Sequence, residues 1–218
     1  MSLWAIVPIK PLRRGKSRLA GVLTDDERTF INYTMLGNTL KALKATPEVD
    51  HVLVVSRDPS ALALARDYDA KTLQEDGSSD NLNMALRRAA VVAQIYAGQT
   101  VLVLPADLPL ISPESIQALI RLSSNPPVVV IAPDRRHDGT NALLMSPVGL
   151  IDFQYGPGSF YRHMEQAHKY KVRVEVCELP ELGLDLDIPE DLLLLQENAG
   201  LQFYTRSMIE AGARTLKP

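Results

Sequence analysis

Short runs of valine, isoleucine and leucine return at regular intervals along this chain, and a helical pattern separates each from the next. Residues 3–9 (LWAIVPI), 51–56 (HVLVVS), 100–105 (TVLVLP) and 128–132 (VVVIA) are apolar along almost their whole length. A strand with one wet face alternates apolar and polar positions. These runs do not, so they predict strands covered on both faces, as in a mostly parallel sheet with helices above and below. Weaker strands are expected at 70–74, 142–146 and 172–178.

The intervening segments carry helix punctuation. Thr24-Asp25-Asp26-Glu27 has the capping-box pattern and opens a helix to about Ala45. A short helix is expected over 60–67, and a longer one over 81–97 that Gly98 would stop in the C-cap role. Ser112-Pro113 pairs an N-cap with proline at the first helical position. Ser159 and Asp187 are read as N-caps of two further helices, ending near His168 and Asn198. This is an α/β chain with a Rossmann-like, mostly parallel sheet. Residues 1–199 form one domain, with a polar C-terminal extension over 200–218.

Composition excludes several classes. One cysteine, Cys177, among 218 residues leaves no internal disulfide and no zinc site built on several thiolates, and it fits a reducing compartment. No apolar run approaches the ~20 residues that cross a bilayer. The expectation is a cytoplasmic protein without a membrane partner. Net charge is -3, from 23 basic and 26 acidic residues, which argues against a nucleic-acid partner. Yet Lys10, Arg13, Arg14, Lys16 and Arg18 crowd one stretch with no acid among them. A basic loop on an acidic chain points to one small anionic ligand.

In open α/β sheets ligands bind beyond the carboxyl ends of strands. Three such places carry charge. The basic loop follows the first strand and ends in Gly15-Lys16-Ser17, the tail of a phosphate-binding loop, but Lys10 occupies the position of that motif's first glycine. Side chains rather than backbone N–H groups would therefore hold a phosphate there. Asp107 lies just past a buried strand, where magnesium is commonly held by one or two carboxylates plus substrate phosphates; read alone, it could be a turn residue between prolines. Asp185 and Asp187, at i and i+2 of an extended segment, point the same way. Asp138-Gly139-Thr140-Asn141 and Tyr155–Phe160 (YGPGSF) add glycine turns and hydroxyls suited to a phosphate. His163 and His168 flank Glu165 in the wrong order for a zinc protease, and His51, His137 and Cys177 have no nucleophile–base partner.

These pieces together resemble the guanylyltransferases of deazaflavin coenzyme F-420 biosynthesis, which activate 2-phospho-L-lactate or phosphoenolpyruvate with GTP. The matching strings are VPIKPLRRGKSRLA (7–20), LNMAL (82–86), VLPADLPLI (103–111), APD with GTNALL (132–134, 139–144), YGPGSF (155–160) and LDIPEDL (186–192). The resemblance implies a nucleotidyltransferase fold, Mg2+ as cofactor, and a monomer or homodimer. It implies metal ligation by Asp107 and Asp187 with Asp185 nearby, and catalysis by Lys16 together with that pair. Lys10, Lys16, Arg18 and Asn83 would contact nucleotide, and Thr140, Asn141, Gly156 and Ser159 the three-carbon acid. Arg13 and Arg14 match variable positions, and Asn81 departs from the family by standing where a glycine is expected. Competing readings are the same fold with a molybdopterin or sugar-phosphate acceptor, and a non-catalytic GTP-binding module.

Overall fold

The computed structural model describes residues 2–75 and 81–197; the expected extension over 200–218 lies outside the described residues. The chain runs β1 (Leu3–Pro8), α1 (Asp25–Lys44), β2 (His51–Ser56), α2 (Pro59–Asp67), β3 (Lys71–Gln74), α3 (Leu82–Ile95), β4 (Thr100–Val103) and α4 (Pro113–Leu122). It continues with β5 (Val128–Pro133), β6 (Thr140–Ser146), α5 (Ser159–Lys169), β7 (Arg173–Val176), α6 (Pro180–Gly183) and α7 (Pro189–Glu197). The strands form one sheet in the order β3-β2-β1-β4-β6-β5-β7. Among the described strands only β6 runs against its neighbours. The six residues between β5 and β6 explain the reversal, since a parallel crossover needs a dozen or more.

Both faces of the sheet are covered, as the unbroken apolar runs require. Along β1, Leu3, Ala5 and Val7 enter one core with Leu36 and Leu40 of α1, Leu62 of α2 and Ile116 and Leu119 of α4. Trp4 and Ile6 enter the opposite core with Leu86 and Ala89 of α3 and Phe160 and Ala167 of α5. Each large side chain so buried stabilises the fold by about 1.5–3 kcal/mol. A smaller third cluster, Leu19, Ile31, Met35, Leu184, Leu186 and Leu195, lies apart from these two. It ties the loop after β1, the segment before α7 and α7 itself onto α1.

The expected caps at Thr24 and Ser112 form as reciprocal capping boxes. Three other cap expectations are corrected. Helix α3 ends at Ile95, and Ala97, not Gly98, takes the left-handed conformation with φ 59°. Gly98 is required by close approach: a Cβ there would lie 2.7 Å from the Trp4 ring and 2.8 Å from the Ala93 carbonyl oxygen. At α5 the N-cap is Gly158, at φ 70°, and Ser159 is the first helical residue, almost fully buried. At the start of α7 the Asp191 carboxylate, not Asp187, accepts backbone N–H bonds, from Asp187 (2.9 Å) and Ile188 (2.8 Å). That frees the Asp187 side chain to face elsewhere.

Candidate active site

The strand order reverses direction at β1: successive strands β2 and β3 lie to one side, and β4 returns to the other. The crevice past the carboxyl ends of β1 and β4 is therefore the switch point where such sheets bind ligands. The loop after β1 is fixed there by three devices. Leu12 N–H donates to Asp58 Oδ2 (2.7 Å), Asn32 Nδ2 donates to the Leu12 carbonyl (2.7 Å), and Arg14 and Gly15 N–H close on the Pro11 carbonyl. A Cβ at Gly15 would sit 2.5 Å from Asn32 Nδ2 and would push that amide off the Leu12 carbonyl. Lys16 then takes a left-handed backbone at φ 59°, uncommon for a residue with a side chain and frequent at functional sites.

This bend sends the Lys16 side chain inward, where 6% of it remains exposed. Its ammonium bridges two carboxylates far apart in sequence, Asp107 Oδ2 at 3.2 Å and Asp187 Oδ1 at 3.0 Å. Asp107 comes from the turn after β4. The segment bearing Asp187 is brought alongside by a backbone bond from Leu186 N–H to the Asp107 carbonyl (3.1 Å). Leu184 and Leu186 point into the third cluster while Asp185 and Asp187 alternate outward, the period-2 pattern expected from the sequence. Asp191, 1% exposed and held by Arg135 Nη2 at 2.8 Å, locks the turn that follows.

The electrostatics follow from this packing. Burial pulls the Lys16 ammonium down, but Asp107 and Asp187 override it and hold it above the ordinary lysine value. For Asp187 burial pushes up, and Lys16, then Arg18 and Lys10, hold the carboxyl below the ordinary range. Arg18 Nη1 is 3.9 Å from Asp187 Oδ2 on a largely exposed side chain, so it contributes field rather than a fixed bond. Asp185 has no such partner among the described residues. Burial first, then the charges of Asp107 and Asp187, push it up to about 6.

A carboxyl that holds its proton more tightly folded than unfolded loses stability as pH rises through about 4 to 6. In metal-free protein, Asp185→Asn is therefore expected to be more stable than the parent at pH 8, by on the order of 2 kcal/mol for a shift of about two units. The difference should vanish near pH 4. Thermal melts in a chelator at both pH values check this.

Among the described residues no group of three or more His, Cys, Asp or Glu side chains is arranged to hold a metal ion. The expected trio of Asp107, Asp185 and Asp187 is thus not a ready-made cage. What the structure does provide is a pair of carboxylates already converging on one cation, the Lys16 ammonium. That donor set fits a hard divalent ion completed by phosphate oxygens and water.

The other expected residues form a second group. Thr140, at the start of β6, contacts buried His163 (Oγ1 to Nδ1, 3.0 Å). The nearby glycine loop is held by Gly158 N–H donating to Asp138 Oδ1 (3.1 Å) and Ser159 N–H donating to the Gly156 carbonyl. Asn83 and Asn141 turn out to serve as clasps. Asn83 accepts from Tyr155 N–H (2.7 Å) and donates to its carbonyl (3.2 Å), tying the glycine loop to α3. Asn141 donates to the Leu182 (2.9 Å) and Gly183 (3.3 Å) carbonyls and so sets the start of the segment that carries Asp185 and Asp187. Asn81, the residue replacing a glycine, caps α3 by accepting from Asn83 and Met84 N–H. Lys10 is exposed at the mouth of the basic loop, and Gly156 takes φ 126°, which favours glycine. Asn32, Asp58, Asp191 and His163 are not legible as site residues, because their partners lie 9 to 56 positions away or are backbone atoms.

Comparison with known proteins identifies the family. The family model described as "Guanylyl transferase CofC like" matches residues 3–206. A phosphoenolpyruvate guanylyltransferase of Rubrobacter xylanophilus is 43% identical over 206 residues, covering 94% of this chain and 99% of that protein. A 2-phospho-L-lactate guanylyltransferase of Methanocaldococcus infernus is 35% identical over 187 residues, covering 86% and 81%. Among solved structures, a putative nucleotide-diphospho-sugar transferase from Desulfovibrio desulfuricans superposes with a TM-score of 0.75 at 16% identity, covering 98% of this chain and 96% of the other. A nucleotidyl transferase from Methanothermobacter superposes at 0.65, with 19% identity over 90% and 96% of the two chains. With the family model spanning residues 3–206 and a full-length relative 43% identical, the chain belongs to the CofC-like guanylyl transferase family.

Proposed function

We propose that the chain transfers GMP from GTP to a three-carbon phospho-acid and releases pyrophosphate, with Mg2+ as cofactor, as a cytoplasmic step of coenzyme F-420 biosynthesis. Phosphoenolpyruvate is the favoured acceptor, in keeping with the 43% identical relative of that name; 2-phospho-L-lactate is the second candidate. The observation that carries this reading is the Lys16 ammonium held between Asp107 and Asp187 at the switch point.

The chemistry asks little proton transfer of the protein. A phosphate monoester with a second pKa near ~6 is mostly dianionic at pH 7, so its oxygen can attack the α-phosphorus without a general base. The bond from that phosphorus to the bridging oxygen breaks, and the electron pair leaves with pyrophosphate. The obstacle is repulsion between two polyanions. Lys16 gives up its carboxylate partners and donates to triphosphate oxygens, while Lys10 and Arg18 lend positive field from the rim. Asp107 and Asp187 would hold the metal, which would supply neutralisation of phosphate charge. Thr140, Ser159 and the Gly156 backbone orient the acid. Positioning and electrostatics of this kind carry phosphoryl-type transfer in general.

A panel of four nucleoside triphosphates against the two phospho-acids with Mg2+, read as pyrophosphate, tests the proposal. GTP with phosphoenolpyruvate is expected to give the highest rate. GTP binding without pyrophosphate release from either acid would favour a non-catalytic module instead.

A further inference from the structure

His163 is the one fully buried imidazole among the described residues, and the proposed chemistry leaves it without a task. Its two nitrogens face different partners. The backbone N–H of Gln154 donates to Nε2 (3.0 Å), so that nitrogen must carry a lone pair. The ring's other nitrogen, Nδ1, lies 3.0 Å from Thr140 Oγ1. Burial, with the Arg162 charge adding to it, pulls the ring down to about 4, so it is neutral at working pH. A neutral ring with a lone pair at Nε2 has its proton on Nδ1, and that proton goes to Thr140 Oγ1. Thr140 accepts this bond, and its own hydroxyl proton has no acceptor among the described residues.

We propose that His163 is a positioning residue for the acid substrate, forcing the Thr140 hydroxyl to act as a donor toward an anionic oxygen of the three-carbon phospho-acid. The inference rests on the function proposed above. The same ring joins both walls of the acid site. Through Gln154 it fixes the chain two residues before Gly156, and through Thr140 it fixes the start of β6. Its surroundings are built to hold it still. The Tyr155 ring packs edge-on at 5.2 Å between centroids, and the Arg162 guanidinium donates to the Gln154 carbonyl (2.8 Å) from the other side. A hydroxyl free to rotate could offer a lone pair to the incoming anion; one already accepting from His163 presents its proton instead.

Two isosteres separate the jobs of the ring. In His163→Asn the amide nitrogen replaces Nδ1 and keeps the donor to Thr140. In His163→Gln the amide oxygen replaces Nε2 and keeps the acceptor for Gln154, but the donor is lost. Steady-state kinetics with GTP and phosphoenolpyruvate are expected to show an acid KM raised about tenfold or more in His163→Gln, as for loss of one hydrogen bond to a charged group. The KM for GTP and the melting temperature should stay near the parent values. His163→Asn, which loses only the bond from Gln154, should raise the acid KM clearly less than His163→Gln does, and His163→Gln should add little to Thr140→Val. An unchanged acid KM in His163→Gln, an equal rise in His163→Asn, or multiplying effects with Thr140→Val would each overturn the proposal while leaving the function intact. Thr140→Val without effect on acid KM would remove Thr140 from the acid site and the proposal with it. Absence of turnover with either acid would overturn the function itself.

Discussion

Lys16→Met is expected to lower turnover of GTP and phosphoenolpyruvate by at least about a hundredfold, the scale seen when one preorganised donor to a transition-state charge is removed. Methionine matches the length of the lysine stem and fills the same slot, so the loss isolates the charge. Two effects add. On the proposed reading the triphosphate loses a donor that Arg18 and Lys10 cannot replace, because they sit at the exposed rim rather than between the carboxylates. Asp187 loses the cation that overrides its burial, so its carboxyl moves up from its depressed position and ionises less completely. Lys16→Arg should not restore activity. The slot leaves only 6% of the lysine side chain exposed, and a planar guanidinium is too wide for it. Pyrophosphate release from both variants, beside melts that establish folding, checks this.

Asp107→Asn is expected to have a comparable effect on rate with a small one on stability. Substituting partners that merely orient metal ligands costs about 10- to 100-fold, so a ligand itself should cost at least the upper figure. The structure also assigns Asp107 a resting role as a partner of Lys16, so the variant leaves a buried ammonium with one counter-charge instead of two. The Asp107 side chain is 35% exposed, and water screens much of that loss. A destabilisation of no more than about 1–2 kcal/mol follows, well short of unfolding a domain of this size. A protein that melts near the parent temperature yet releases almost no pyrophosphate is the expected result. Near-parent rates would remove Asp107 from the chemistry.

Much of this fold could be read in the residues because each cue had one dominant physical cause. The strands at 51–56 and 128–132 are apolar on both faces, and only a doubly covered sheet buries both. Thr24 and Ser112 cap helices through contacts within three residues. The alternation of Leu184, Asp185, Leu186 and Asp187 encodes which side faces the core. The failures share a different cause. Gly98 looks like a helix stop, but what requires glycine there is close approach, to the Ala93 carbonyl and to the Trp4 ring about ninety residues away in the chain. The direction of β6 was legible only from the length of its connection, not from its residues. Asn83 and Asn141 carry ligand-type side chains, and nothing local indicates that backbone carbonyls and N–H groups more than forty residues away occupy them. Lys16 was recognisable as a phosphate-loop lysine, whereas its bridge to positions 91 and 171 residues downstream exists only in three dimensions.

The central claim is that Asp107 and Asp187, which hold the Lys16 ammonium in this structure, would also supply the carboxylates for a divalent cation bound with nucleotide. Its most direct test is a Mn2+ titration in the presence of a non-hydrolysable GTP analogue, followed by water-proton relaxation with the signal of free Mn2+–nucleotide subtracted. The parent protein should form the ternary complex, and Asp107→Asn and Asp187→Asn should each weaken it by about tenfold or more. Parent-like Mn2+ affinity in both variants would contradict the account.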